Sequence, residues 1–229
     1  MDKKGFYTYS GSVTPLQCSV HSYVFSDFNE GQAYQAFGFL NKQFNEVGWF
    51  YCSSSSDTVD RYVSFNYLDN TWSIGQLART AWLDEGIESF PRAAGLSSSL
   101  NYLFSHETGN DDDGSPMDNV YIESGDFDIG EGEDFQFIRR MIPDVKFNGD
   151  GDDQTINVVL KARNYPGNSL TTDQTTSFTS STAKIDMRAR ARQAVLRFES
   201  DDDGTDEERL GVGFRIGGTR LDIQPNGRR

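Results

Sequence analysis

Three β-rich runs joined by short polar turns constrain this chain most. Glu46-Val47-Gly48-Trp49-Phe50-Tyr51-Cys52 is an apolar run, followed by a polar turn over Ser53 to Asp57. Arg61-Tyr62-Val63-Ser64-Phe65-Asn66-Tyr67 is rich in aromatic and β-branched residues, and Leu68-Asp69-Asn70-Thr71 turns the chain into Trp72-Ser73-Ile74-Gly75. Runs this short, of this composition and bounded by turn formers, are strands. Consecutive strands with short turns make an antiparallel meander, the unit of a propeller blade or an open sheet.

The same signature recurs along the chain. Phe6-Tyr7-Thr8-Tyr9, the turn Ser10-Gly11-Ser12 and the run Val13 to Val20 read as a hairpin, with Pro15 marking an edge or bulge. Ala93 to Leu96 and Leu100 to Phe104, around a Ser97-Ser98-Ser99 turn, read as another hairpin. The best helical window is Ser22 to Phe39, where Phe28, Ala33, Ala36 and Phe37 recur at helical spacing and Asp27 offers a cap. It places one short helix near residues 27–40, weakened by Gly31. The polar, acidic stretch Thr108 to Pro116 marks a domain boundary. Beyond it, strands are expected over Val120–Asp128, Asp134–Phe147 (with a bulge or an edge position at Pro143), Thr155–Asn164, Leu210–Ile216 and Arg220–Ile223. Ala183–Glu199 reads as a long pair or one bent strand. The expectation is an all-β chain: a blade-like meander over residues 1–108, a partial propeller, then a β-sandwich over 115–229.

The chain has 229 residues and a formal charge of −14, with 35 Asp and Glu against 21 Lys and Arg. Such a surface repels nucleic-acid phosphates on average. The Met1 to Gly5 segment has no apolar core of the signal-peptide kind, and no run approaches the ~18 apolar residues of a membrane helix, so no membrane role is expected. Cys18 and Cys52 lack metal-site or redox spacing and read as free thiols.

Catalytic constellations are sparse. The nucleophile elbow is absent, and His21 and His106 are the only histidines. Asp126 and Asp128, taken as one strand, would share a face in the manner of a glycosidase pair, a coincidence that acidic composition alone produces. Three acidic loops resemble calcium sites: Asp111-Asp112-Asp113-Gly114, Asp150-Gly151-Asp152-Asp153 and Asp201 to Asp206. Asp201, Asp203 and Asp206 come closest, but no loop has the distal Glu of an EF-hand, and solvated acidic loops are the plainer reading. No enzyme activity, cofactor or metal is expected.

The basic row is more informative. Arg188, Arg190 and Arg192 recur at period two, with Ala189 and Ala191 between them, and Arg197 follows. On a strand, the arginines share one face and the alanines the other. A row of guanidinium groups must meet anions: carboxylates of its own or a neighbouring subunit, or DNA phosphates.

Several runs are familiar in order. Trp49-Phe50-Tyr51-Cys52-Ser53, Asp60-Arg61-Tyr62-Val63, Phe65 to Trp72 and Leu77-Ala78-Arg79-Thr80-Ala81-Trp82 resemble a stretch recurring in tail hub or nozzle proteins of short-tailed bacteriophages. So do Tyr121 to Gly130, Phe137-Ile138-Arg139-Arg140, Lys161-Ala162-Arg163, the Arg188 to Arg192 row and Arg220 to Arg229. This resemblance implies a virion structural protein of the phage tail, made in the host cytoplasm. It implies a homo-oligomeric ring, of six copies in the family, docked on an adaptor, with genomic DNA passing through the lumen. It brings no catalytic residues. Family members are considerably longer, and the likeness covers their C-terminal part. The resemblance therefore implies a chain that begins inside a propeller and is a fragment, a split-gene product, or a short form whose open edges a partner chain closes. Two other classes compete. A carbohydrate-binding module for host surface glycan would use Trp49, Trp72, Trp82 and Tyr67 as stacking platforms. A glycosidase would use Asp126 and Asp128.

Overall fold

Strand-forming runs dominate the sequence, and strands dominate the fold. The computed structural model describes residues 1–2, 4–86, 89–97, 100–111, 114–117, 120–149, 154–200 and 211–227. The chain divides into two compact units, Met1–Thr108 and Gly109–Arg229. The all-β expectation holds, and α1, His21–Asp27, is the only α-helix among the described residues.

The first unit opens with a hairpin of β1 (Phe6–Tyr9) and β2 (Val13–Leu16), in which Tyr7 faces Pro15. After α1 and a 3-10 turn over Glu30–Gln35 come β3 (Phe37–Asn41), β4 (Glu46–Tyr51), β5 (Arg61–Asn66) and β6 (Thr71–Gln76). These four strands form one antiparallel sheet in chain order, the meander expected from the turns. β7 (Arg79–Leu83), β8 (Arg92–Ser97) and β9 (Leu100–Ser105) form a second, three-stranded sheet.

The four-stranded sheet is covered on both faces, which is why β4 reads as a continuous apolar run rather than an alternating one. On one face, Phe6 from the first hairpin and Val24 from α1 pack with Tyr51 and Val63, flanked by Trp49 and Trp72. On the other, Phe50, Cys52 and Val59 pack with Phe37, Phe39, Tyr62 and Trp82.

The helix is displaced from its expected place. It occupies His21–Asp27, and residues beyond it turn extended at Phe28 (φ −74°, ψ 123°). Three features end it. Phe28 bridges Ser53, the Asn29 N–H donates to the Cys52 carbonyl at 3.0 Å, and Phe37 and Phe39 are drawn into β3, both packing against Phe50. Apolar residues that satisfied a helical period in sequence are split between two elements. Asp27 does not cap the helix start. It closes the end, accepting from Ser54 Oγ at 2.8 Å and facing Arg61 at 3.6 Å.

In the second unit, two sheets share one core. β10 (Tyr121–Glu123) and β11 (Phe127–Asp128) flank β17 (Gln193–Ser200), which pairs with β14 (Thr155–Arg163) and then β15 (Thr171–Thr179). The second sheet has the order β16 (Ile185–Ala191), β12 (Gln136–Ile142), β19 (Arg220–Pro225). β13 (Val145–Phe147) and β18 (Phe214–Ile216) form a separate ribbon. Ile156, Val158 and Leu160 of β14 and Leu196 and Phe198 of β17 meet Ile138, Met141, Met187 and Ala189 of the opposing sheet in one buried cluster, giving a sandwich.

Three strand expectations change. Ala183–Glu199 is two strands, but not two that bond to each other: at Arg192 the chain leaves one sheet for the other, so β16 pairs with β12 and β17 with β14. Asp134–Phe147 breaks at Pro143, which lacks the N–H to continue a ladder, and the carbonyl of Asp144 instead accepts from the Gly217 N–H at 2.7 Å. Val120–Asp128 is interrupted where Ser124 exchanges bonds with Leu196, through N–H to carbonyl at 2.9 Å and Leu196 N–H to Oγ at 3.0 Å.

Candidate functional site

β16 is an edge strand with the alternation its sequence demands. Ile185, Met187, Ala189 and Ala191 are buried, while Asp186, Arg188 and Arg190 face out. The three row arginines have different surroundings. Among the described residues no carboxylate pairs with the Arg188 guanidinium. Arg190 stands 3.8 Å over the Phe135 ring and donates to the Asn226 carbonyl at 3.3 Å. Arg192, just beyond the strand end, lies 4.6 Å from the same ring and donates to the carbonyls of Gly132 and Glu133. Phe135, only 8% exposed, thus joins two of the three arginines, a stacking geometry suited to guanidinium groups.

Arg197 does not belong to this row. It lies on β17, in the other sheet, 3.7 Å over the Tyr121 ring, bonded to Glu199 and 3.6 Å from Glu123. Lys161 joins Glu123 at 2.6 Å, and Arg163 pairs with Asp126. These contacts form a lattice of opposite charges across β10, β14 and β17.

The open edge of β16 is also guarded. Gln174 on β15 donates from Nε2 to the Asp186 carbonyl at 3.0 Å, and its Oε1 accepts from the Arg188 N–H at 3.3 Å. A side-chain amide here does what a neighbouring strand would do, closing two backbone groups that invite strand addition.

The remaining candidates are placed as follows. Asp201, Asp203 and Asp206 lie outside the described residues, as do Asp112, Asp113 and 150–153. Among the described residues, no three His, Cys, Asp or Glu side chains converge as a metal site. Asp126 and Asp128 do not share a strand face, because Asp126 precedes β11. Asp126 is ion-paired with Arg163, and Asp128 accepts from Gln193 at 3.2 Å. His21 bonds the Lys4 carbonyl at 2.9 Å. Cys18 and Cys52 are free thiols, both with pKa pushed up by burial. The indole N–H groups of Trp72 and Trp82 donate to the Gln17 and Leu40 carbonyls, at 3.0 and 2.9 Å, and all three indoles are packed into aromatic clusters. Tyr67 is 43% exposed.

A second polar cluster, in the first unit, has no counterpart in the sequence reading. Buried Arg79 of β7 donates from Nε to His106 at 3.0 Å and lies 3.7 Å over the Phe104 ring. Burial, reinforced by the Arg79 charge, lowers the His106 pKa to about 4. Beside it, the Asn41 amide donates to Glu107 at 2.8 Å, and Glu107 holds a left-handed backbone (φ 60°). Burial raises the pKa values of Glu46 and Glu107, and Glu107 also acts on Glu46. Tyr62 is pushed up by burial and by both carboxylates. These residues come from segments up to 66 positions apart, and no local spacing announces them.

Compared with known proteins, the sequence matches no family model and no curated protein.

Proposed function

We propose that this chain is a structural component of a bacteriophage tail, a subunit of the hub or nozzle ring through which DNA passes. The ordered series of residue runs from Trp49 to Arg229 carries the reading. Three features of the fold support it. The meander β3–β6 has the up-and-down connectivity of a propeller blade. Open-edged antiparallel sheets suit a wall built from repeated subunits. The outward arginines of β16 offer charge to the acidic surface of a neighbouring copy or to DNA in a lumen.

Arg188 is the sharpest probe, because Arg190 and Arg192 also hold Phe135 and the 130s loop in place. Sedimentation and negative-stain electron microscopy of the purified chain, alone and mixed with an adaptor, should show rings. Arg188→Glu should weaken them while leaving the thermal melt unchanged. A monomer under every mixture would overturn the proposal. Rings indifferent to Arg188→Glu would remove the arginine row from it.

A further inference from the structure

Asn41, Glu46 and Glu107 meet from β3, β4 and the turn that follows β9. Asn41 and Glu46 are direct cross-strand partners, which puts their Cβ atoms about 5 Å apart on one face. Asn41 also reaches Glu107, spending its N–H on Oε1 at 2.8 Å. Asn41 therefore neighbours both carboxylates, Glu107 through a hydrogen bond and Glu46 through the strand register. Asn41 is 3% exposed, and its Oδ1 has no hydrogen-bond partner.

The nearest lysine in sequence is committed elsewhere. Lys42, next in sequence to Asn41, pairs with Asp84 and Glu85 at 3.3 and 3.8 Å. Among the described residues no Lys or Arg forms an ion pair with Glu46 or Glu107. Ser64, 2% exposed, hydrogen-bonds Glu46. A buried acceptor without a partner, such as Asn41 Oδ1, needs a positive or donating group. Glu107 also holds a backbone conformation that costs about 1–2 kcal/mol in a non-glycine residue. All the available ligand atoms are oxygens, on three separate segments.

We propose that Asn41 Oδ1, Glu46 and Glu107 bind a hard divalent cation, with Ca²⁺ fitting best because it tolerates irregular oxygen geometry. Two carboxylates without a third place the affinity at the weak end, about 10⁻⁴–10⁻³ M. The cation ties the turn after β9 to the start of β4, joining the three-stranded sheet to the meander.

The test uses the full chain and CaCl₂ alone, with NaCl at matched ionic strength as control. All three tryptophans lie in the first unit, so indole fluorescence during urea unfolding reads that unit and not the acidic loops of the second. At 10 mM Ca²⁺ and a Kd of about 1 mM, the folded-to-unfolded ratio should rise about tenfold. Glu107→Gln keeps an acceptor for the Asn41 N–H and sits on an exposed residue, so it should fold. It should abolish the calcium-induced shift, whatever it does to the baseline. An absent shift in the wild type, or an equal shift in Glu107→Gln, would overturn the proposal and leave a proton or a water as the partner of Asn41 Oδ1.

Discussion

Gly48→Ala tests the packing of the meander by its sign. A glycine inside a strand costs about 0.5–1 kcal/mol relative to alanine through lost backbone entropy, so alanine should stabilise wherever a Cβ has room. At Gly48 it has none. The added Cβ would lie 2.3 Å from the Phe39 ring and 2.7 Å from the Val63 carbonyl oxygen. Val63 belongs to the neighbouring strand and is fully buried, so its carbonyl cannot retreat. The Phe39 ring is held by Phe50 at 4.8 Å and Trp82 at 5.0 Å. Overpacking of this kind costs about 1–3 kcal/mol. Set against the entropy gain, the net expectation is a loss of about 1–2 kcal/mol. Near 100 residues that lowers the midpoint of the first unit by about 4–8 °C. Gly38→Ala is the control. Its Cβ would meet the Gly48 carbonyl at 3.7 Å and the Trp49 indole at 3.8 Å, ordinary contacts, so it should be neutral or stabilising. Tryptophan fluorescence in urea, which reports the first unit, measures both. Stabilisation by Gly48→Ala would refute the close approach of Phe39. A destabilised Gly48→Ala restored by Phe39→Leu would locate the clash in the ring.

Gln174→Ala should cost about 1–2 kcal/mol by leaving the Asp186 carbonyl and Arg188 N–H unclosed, and hydrogen exchange at the Arg188 amide should quicken. An unchanged rate there would show that β16 needs no guard. His106 should resist protonation to about pH 4, followed through its ring protons by NMR. Because its folded pKa lies below the unfolded value, the unfolded chain binds the proton first. His106 therefore contributes a loss of stability as pH falls from about 6.5 to about 4. The raised pKa values of Glu46 and Glu107 act in the opposite direction, so Glu107→Gln should steepen the acid-side loss.

Much of the strand order was legible in the sequence, because its signals are local. Turn residues such as Leu68 to Thr71 and the alternation from Ile185 to Ala191 act between near neighbours, and strands follow from them wherever the chain is packed. β15 shows the limit. Its run Thr171–Thr179 is polar apart from Phe178, and it is a strand because β14 supplies its ladder and Phe178 reaches the core. The helix shows it too: the apolar spacing of residues 28–37 fits two geometries, and only Phe50 and Ser53, more than a dozen residues away, select the extended one. The arginine row was readable as a face of β16, but not the separation of Arg197 onto the other sheet, which follows from the crossing at Arg192. The sequence alone determined the turns of the Glu46 to Gly75 meander and the apolar and polar faces of β16. Tertiary structure decided which strands pair, which arginines stack on Phe135, and that Asn41 reaches Glu107. Those outcomes depend on contacts between residues tens of positions apart, and local periodicity carries no record of them.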